Sequence, residues 1–438
     1  MIVLKLAEKI FIVLSLLFFS DAIFPLLEEV GGIPINPIMN VCFLGIQAGL
    51  ILLLVAWWRK VFRNALKEKL LWVLLGIVVF SVFWSDVPTT TLGSIRNLVP
   101  AILLGVYLAA RYTLKEQLQL LAWMLSIAAL LSVVCSIVLP SYGVMGMAPN
   151  SSAEALSHMG AWRGIFSHKN VFGRIMVLSA VVFLLLATNS RKYRWLLWAG
   201  FSLSIGLILL STSKTALIIF LTIVFLLPFY RALRWNYTLA IPFFIIVVLA
   251  GGSVAILLLG NAEAILGALG RDLTFTGRTD LWVAVLDKIW QRPWLGYGYY
   301  GFWQVLGGES TDVLKTVHWE APHSHNGLLD LWLDLGLLGL SVFVLTFIAV
   351  CLRSVTWVRL NKTTAGFWPL AYLTFLFLAN LTESSLFRQK FLWLMYVATT
   401  LSLHNKSNNL VEGNTFFQQN IKGEARKPVT QEPLPRKV

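Results

Sequence analysis

The feature that most constrains this chain is repetition. Predominantly apolar runs, many of them long enough to cross a hydrocarbon core of ~30 Å, recur along nearly its whole length. Within lipid the backbone N–H and C=O groups of such a run must be satisfied inside the segment, which selects helices. About twelve spans are expected, near residues 10–27, 38–58, 70–84, 96–110, 117–139, 171–187, 195–212, 214–230, 238–259, 326–352, 367–383 and 391–404. The third and fourth are short, and one of them could be re-entrant. The expected fold class is an all-α polytopic membrane protein with a large extracytoplasmic loop between spans nine and ten. Composition agrees: 58% of the 438 residues are hydrophobic, only 13% are charged, and the mean hydropathy is +0.76. A soluble chain of this length would carry far more charge.

The formal net charge of +14 raises the question of a nucleic-acid partner, and its placement answers it. With a cytoplasmic N-terminus, alternate loops carry Lys5 and Lys9, then "RKVFRNALKEK", "RYTLK", "RKYR", "RALR", "RSVTWVRLNK" and the C-terminal tail. Those segments hold 23 of the 35 Lys and Arg. This is the positive-inside bias of a membrane protein; a nucleic-acid face would gather its cations on one soluble element. The start of the chain resembles a signal peptide, with Lys5 and Lys9 before "FIVLSLLFFS" and small residues at "SDA". Ahead of so many further spans, an uncleaved first helix is expected. Cys42, Cys135 and Cys351 each lie in an apolar run without framework spacing and read as packing residues.

Two segments break the pattern, residues 140–170 and 260–325, and both fall on the outer face in this topology. The expected organisation is spans one to nine in residues 1–259, the loop in 260–325, three spans in 326–404, and a disordered cytoplasmic tail in 405–438. In the loop, "TDLWVAVLDKIWQ" spaces Leu281, Val285 and Ile289 four apart beside Trp282 and Leu286. That pattern suits an amphipathic helix at the membrane interface. "RPWLGYGYYGFW" follows, either as an aromatic belt at the headgroups or as a stacking surface for sugar rings.

Lys214, in "LLSTSKTALIIF", is the most unusual of the cations outside the basic loops. It sits at the turn between two apolar runs, where a buried, unpaired cation is costly. Ser211, Thr212 and Ser213 before it suit a helix N-terminus, whose N–H groups favour phosphate. Several cations at the outer leaflet suit an anion that cannot leave the membrane, such as a lipid-linked diphosphate. Ordinary snorkelling is the plainer account of each one singly.

Three of the six histidines, His318, His323 and His325, fall within eight positions in "VHWEAPHSHNGLLDLWLDLGLLGL". Ser324 suits the cap of a helix starting near His325. The positive end of that helix favours a neutral imidazole, which can take a proton from an incoming hydroxyl. Asn326, one position deeper, would orient an acceptor or a phosphate. Asp330 and Asp334 lie about 140° and 180° around the helix from His325, so they are expected to pair with other helices. Glu320, or Glu383 in "NLTESSLFRQK", is the better carboxylate partner for His325. The rival readings are a structural interface and a metal held by His323 and His325, for which no third ligand has suitable spacing. No metal or other cofactor is expected.

In this order, "RGIFSHKNVFG" at 163–173, "STSKTAL" at 211–217, "FTGRTDLW" at 275–282, "RPWLGYGYYGFW" at 292–303 and "HSHNGLLDLWLDLGLLG" at 323–339 resemble the O-antigen ligase and polymerase superfamily. These are polytopic bacterial glycosyltransferases of the GT-C type, and the resemblance covers roughly residues 30–400. The family's pattern of His-Asn, nine residues and Gly-x-x-Gly falls on His325, Asn326, Gly336 and Gly339. The resemblance implies that His325 is the activating histidine and that Arg163, Lys214 and Arg278 hold a lipid diphosphate. His323, His168 and Asn170, from the same motifs, join the substrate-binding candidates. "SHKN", "SKTAL" and "TGRTDLW" are most similar to the exopolysaccharide-polymerase branch, while the histidine motif is shared with the ligases. The implied chemistry is metal-independent, inverting glycosyl transfer from an undecaprenyl-diphosphate-linked glycan to a glycan acceptor. Its implied setting is the outer face of the bacterial inner membrane, among membrane lipid, a flippase and a chain-length regulator. The alternatives are a ligase acting on lipid A–core and a polysaccharide or lipid transporter. A transporter would distribute polar residues through its spans, whereas here they gather at one face.

Overall fold

The computed structural model describes residues 2–22, 24–31, 35–149, 151–235, 238–239, 278–304, 308–317 and 321–404. Among them no strand forms, and a single bridge pairs Val144 with Trp162. The helices are α1 (Ile2–Phe19), α2 (Phe24–Gly31), α3 (Ile35–Ala56), α4 (Trp58–Ala65), α5 (Lys69–Phe80), α6 (Pro88–Arg111) and α7 (Leu114–Val138). Next come the short α8 (Pro140–Gly143) and α9 (Ala153–Ser157), then α10 (Lys169–Ala187), α11 (Arg194–Leu210) and α12 (Lys214–Ala232). The remainder are α13 (Arg278–Gln291), α14 (Glu309–Val317), α15 (Gly327–Leu360), α16 (Trp368–Thr382) and α17 (Lys390–Ser402).

Seven helical segments among the described residues are long and apolar enough to cross a membrane, and Lys69–Phe83 and Arg194–Leu210 are shorter apolar helices. The chain is an all-α, multi-pass membrane protein. The expected span at 238–259 falls almost wholly outside the described residues, and the tail from 405 and residues 260–277 of the loop lie outside them. Of the doubtful pair, α6 runs 24 residues, or about 36 Å. α5 stops after 12 residues and a 3-10 turn at Ser81–Phe83. α1 starts at Ile2 rather than near residue 10. Its polar first turns are satisfied there, because Glu8 Oε1 accepts from Tyr107 Oη (2.7 Å), Tyr112 Oη (2.6 Å) and Arg111 Nε (3.1 Å).

Helices in lipid associate through close packing and hydrogen bonds across the contact, since the tails are as apolar as the side chains. α17 is buried on every side from Phe391 to Ser402. α6 reaches it across Gly105, where a Cβ would sit 2.6 Å from the Leu394 carbonyl oxygen. α10 is the second central helix, packed by α7, α11 and α12, and Ser179 shares a 2.8 Å hydrogen bond with Ser204 of α11. α3 lies at the periphery, with Leu44 and Leu52 turned outward.

The two ends of the bundle differ in chemistry. One end carries the basic loops and is closed by the Glu8 cluster and by buried Glu68, which pairs with Arg353 and with His404 Nε2 (2.8 Å). The other, the loop face, brings together residues 20–22, 84–87, 139–149, 151–168, 211–213, 278–304, 308–317, 321–326 and 383–389.

At the loop face α15 is two helices joined at Gly336, whose φ of 65° and ψ of −172° break the ladder. The aromatic segment after α13 fits into this break. Leu337 N donates to Pro293 O (2.7 Å), Leu338 N to Trp294 O (3.2 Å), and Tyr297 N to Leu333 O (2.8 Å). Loop carbonyls thus cap amides that a kink leaves open. The first nine residues of α15 form a separate short helix ahead of the long one. α13 also departs from expectation. Its Leu281, Ala284, Val285 and Ile289 are buried against Tyr297, Phe302, Val313 and Leu333. The apolar stripe therefore serves the loop's own core instead of the membrane interface. In the aromatic segment Tyr297, Tyr299 and Phe302 are buried, and Trp294 is exposed, as is Trp290 of α13.

Candidate active site

Glu383 is where the loop-face motifs meet. α16 ends at Thr382, and Glu383 follows in an extended conformation as its C-cap. The next turn is held by Asn380, whose Oδ1 accepts from Ser385 N (3.0 Å) and Leu386 N (2.6 Å). The carboxylate then lies among groups from α10, α13 and the turn that precedes α15. Oε2 is 3.4 Å from His325 Nδ1 and 3.9 Å from His323 Nε2. Oε1 accepts from Asn170 Nδ2 (3.2 Å) and lies 3.8 Å from Arg278 Nη2. Burial alone would raise this carboxyl group, but the hydrogen bond from His325 and the charges of Arg174 and His323 hold it well below the ordinary carboxylate range. It is an anion at neutral pH.

The histidine turn differs from the expected cap. Asn326, not Ser324, caps the helix: its Oδ1 accepts from Leu328 N (3.0 Å) and Leu329 N (3.3 Å). An amide oxygen spanning two open N–H groups is a strong cap, and that oxygen is thereby committed to the helix rather than to a substrate. Ser324 Oγ instead donates to Asn326 O (2.7 Å) and accepts from Asn326 N (3.2 Å). His325 stands just outside the helix at a φ of 54°, left-handed for a non-glycine residue at a cost on the order of 1–2 kcal/mol. That conformation sends the ring across to Glu383 instead of along the helix. His325 N donates to His323 Nδ1 (3.1 Å), and the two rings lie 4.2 Å apart at 60°.

His325 Nδ1 has an acceptor on one side and a donor on the other, Glu383 Oε2 and Arg278 Nη2, each at 3.4 Å. A proton on Nδ1 suits the carboxylate and leaves Nε2 as the proton acceptor; the other tautomer accepts from Arg278 and carries its proton on Nε2. The negative charge of Glu383 favours the first. Arg278, the first residue of α13, is anchored by Nη1 to Thr382 O (2.8 Å). Its second nitrogen thereby reaches both His325 and Glu383.

Burial, then the neighbouring His325, pushes His323 down to about 4 from the ordinary 6.5. Unfolded chains therefore take up this proton first. The stability tied to neutral His323 is complete above pH 6.5 and is lost as the pH falls toward 4. Thermal midpoints of the detergent-solubilised protein should decline across that window, and decline less in His323→Gln. Equal slopes would remove His323 as the cause.

The other expected site residues divide into two groups. His168 caps α10, its Nδ1 accepting from Asn170 N (3.2 Å), and its ring meets His158 edge-on at 5.9 Å. It positions Asn170, whose Oδ1 accepts from Ser213 Oγ (3.0 Å) and so joins α10 to the α12 turn. Gly173 lets these segments approach, since a Cβ there would lie 2.9 Å from Ala216 Cβ. Lys214 does begin a helix capped by Ser213 (Ala216 N, 3.3 Å). Lys214 is exposed, following the turn at Thr212 (φ 48°), and so avoids the cost of a buried cation. Arg163 stacks on the Tyr142 ring at 4.1 Å and donates Nε to Tyr142 O (2.5 Å) and Nη1 to Ser167 O (3.3 Å). Part of its fork is thereby committed to its own loop. Glu320 lies outside the described residues.

Arg174, buried one turn after Asn170, is one of the cations outside the basic loops, and its sequence context assigns it no specific role in the site. Its Nη1 donates to Ser385 Oγ (2.7 Å), and its charge acts on Glu383. An arginine inside an apolar run was the available signal, because such a charge requires a partner. The missing third ligand for the histidine pair also exists. One ligand atom each from His323, His325 and Glu383 lie within 4.8 Å of one another, a donor set that suits a zinc-like ion. Arg278 beside the same atoms opposes a further cation.

Residues 199–344 match the family model described as O-Antigen ligase. That range holds the α12 turn, Arg278 and the histidine turn. Over 104 residues the chain is 32% identical to "Exopolysaccharide production protein ExoQ" of Rhizobium meliloti, covering 22% of this chain and 23% of that protein. Over 258 residues it is 24% identical to "General O-oligosaccharyltransferase" of Acinetobacter baylyi, covering 50% of this chain and 44% of that protein. The chain thus spans less than half the length of either relative it matches. With the loop-face motifs and these matches across them, the chain resembles the O-antigen ligase and polymerase superfamily, and residues 199–344 carry the match to its model.

Proposed function

We propose that this chain is a membrane glycosyltransferase that polymerises undecaprenyl-diphosphate-linked repeat units into exopolysaccharide or O-antigen, at the outer face of the inner membrane. The observation that carries the reading is the buried contact of His325 Nδ1 with anionic Glu383, with Arg278 alongside. An acceptor sugar hydroxyl attacks the anomeric carbon of the donor, forming the new glycosidic C–O bond. The bond from that carbon to the diphosphate breaks, and its electron pair leaves on the diphosphate. Attack opposite the leaving group inverts the configuration. The hydroxyl proton passes to His325 Nε2, and Glu383 balances the imidazolium. Arg278, with Arg163 and Lys214 on the same face, stabilises the charge gathering on the diphosphate. None of these steps requires a metal. Arginine and histidine supply the charge stabilisation and the base, and the partners are the donor glycan, the acceptor glycan and membrane lipid, with a flippase and a chain-length regulator acting before and beside it.

A second reading is a ligase that moves finished glycan to another acceptor, such as lipid A–core. The longer of the two relative matches, to an O-oligosaccharyltransferase, favours it. Complementing a deletion strain with wild type or Arg278→Ala and resolving lipid-linked and surface glycan on a gel tests both. Polymerase action predicts that the variant accumulates single repeat units at normal protein level. Long chains retained on the carrier would instead make the enzyme a ligase, and an unchanged ladder would end the site assignment.

A further inference from the structure

We propose that Asp330 is the positioning residue of the histidine turn, and that with Arg388 it locks His325 and Glu383 to one another; this rests on the active-site reading above. Asp330 lies in the first turn of α15 and is buried. Its Oδ1 accepts from Trp303 Nε1 at 2.8 Å. Both carboxylate oxygens face Ser324 N, at 3.2 and 3.4 Å. Oδ2 lies 3.5 Å from Arg388 Nε, and Arg388 Nη2 lies 3.8 Å from Asp334 Oδ2. The Arg388 guanidinium covers the Tyr300 ring at 4.6 Å. One carboxylate therefore binds the aromatic segment, the histidine turn and the segment that follows α16.

The backbone of Ser324 is held from both sides. Asp330 takes its N–H, and Trp282 Nε1 donates to its carbonyl at 2.9 Å. His323 and His325 flank this clamped residue, so the clamp fixes where each ring begins. Arg388 lies five residues beyond Glu383 in the same connecting segment. The histidine and its carboxylate partner thus descend from two segments anchored to a single side chain. A buried ion cluster is a poor source of stability, because desolvation offsets the attraction. Fixed relative geometry is what it supplies, and misplacement of a catalytic group by about 1 Å costs on the order of a hundredfold in rate.

The test uses the full-length chain in lipid nanodiscs, with hydrogen exchange over residues 321–329 and 383–389 and product formation from lipid-linked repeat units. In Asp330→Ala, exchange of 321–326 should rise at least tenfold, and product formation should fall by about a hundredfold. In a His325→Ala background the same substitution should remove nothing further, because it acts through His325. Asp330→Asn keeps the acceptor for Ser324 N and Trp303 Nε1 but releases Arg388. It should hold 321–326 protected, accelerate exchange of 383–389, and lose less than tenfold in rate. This variant decides the matter if the alanine form does not accumulate: unchanged exchange at 383–389 overturns the lock. Equal proportional losses from Asp330→Ala with and without His325 overturn the positioning role. If His325→Ala alone leaves product intact, the catalytic reading fails, while the exchange data still decide whether Asp330 holds the turn.

Discussion

His325→Ala should lower product formation by about 10²- to 10⁴-fold, the usual contribution of a positioned general base, while the protein accumulates normally. The substitution leaves the Asn326 cap and the Ser324 clamp in place. It removes only the ring that faces Glu383, so loss of activity cannot be assigned to loss of the turn. Glu383→Gln should be more damaging to the protein and no milder in rate. Its amide can still meet Asn170, but the anion that offsets Arg174, Arg278 and the histidines is gone. Uncompensated buried charge costs about 3 kcal/mol or more, so both the thermal midpoint and the turnover should fall. The two variants separate two roles. If Glu383 only stabilises the fold, turnover of the folded fraction will match wild type. If it orients His325 and balances the imidazolium, the folded fraction will be as slow as His325→Ala, and combining the substitutions will add little. Turnover should be normalised to folded protein by size-exclusion recovery before the comparison. A folded His325→Ala protein with wild-type turnover would sink the general-base assignment.

The site is legible in the sequence to different depths. Hydropathy marks the apolar helices, because lipid admits few alternatives to a helix, but not their lengths: about twelve spans are expected, and seven segments among the described residues reach spanning length. The basic loops and the loop face separate as the charge pattern requires. Eliminating Asp330 and Asp334 from the wrong side of a helix leaves Glu320 or Glu383 as the partner of His325; the structure places Glu383 beside it and pairs the two aspartates with Arg388. What sequence does not carry is which residue begins the helix. Ser324 and Asn326 are both good caps, and only Asn326 reaches Leu328 N and Leu329 N. The exposure of Lys214 is hidden for a related reason: an apolar neighbourhood in sequence says nothing of a left-handed turn at Thr212, after which Ser213 is buried and Lys214 faces outward. The amphipathic stripe of α13 misled because a loop large enough to own a core competes with the membrane for apolar surface. Arg174 finds Ser385 at a separation of 211 residues and Arg388 finds Asp330 across the Gly336 kink, and such pairs have no local signature.

Gly336→Ala should abolish the folded loop face, the largest effect expected of one added methyl group. Its φ of 65° already costs an alanine on the order of 1–2 kcal/mol. The added Cβ would also lie 2.1 Å from Trp294 O and 2.4 Å from Leu295 N. These are backbone atoms, so no side-chain rotation relieves the overlap; the whole 292–298 segment must move. That movement breaks the bonds from Leu337 N to Pro293 O and from Tyr297 N to Leu333 O, each worth about 1 kcal/mol, more where a buried group is left unsatisfied. The total is about 4 kcal/mol, enough to deplete a marginally stable protein. Gly76→Ala is the matching control, since nothing lies within 4 Å of the new methyl group and a helical glycine replaced by alanine gains up to about 1 kcal/mol. Monodisperse yield and thermal midpoint, measured on both, check the contrast; a Gly336→Ala midpoint within a degree or two of wild type would show that the kink is not fixed by this contact. The same geometry explains why nine residues separate Asn326 from Gly336. They form the short helix whose far end is pinned by the aromatic segment, and each residue added or removed would turn the histidine end by about 100° about the axis. Glu383 is carried by the segment after the separate helix α16 and cannot follow that rotation. The glycine at the kink and the histidine at the cap are therefore two ends of one measured distance, and a change at either end misaligns His325 with its carboxylate.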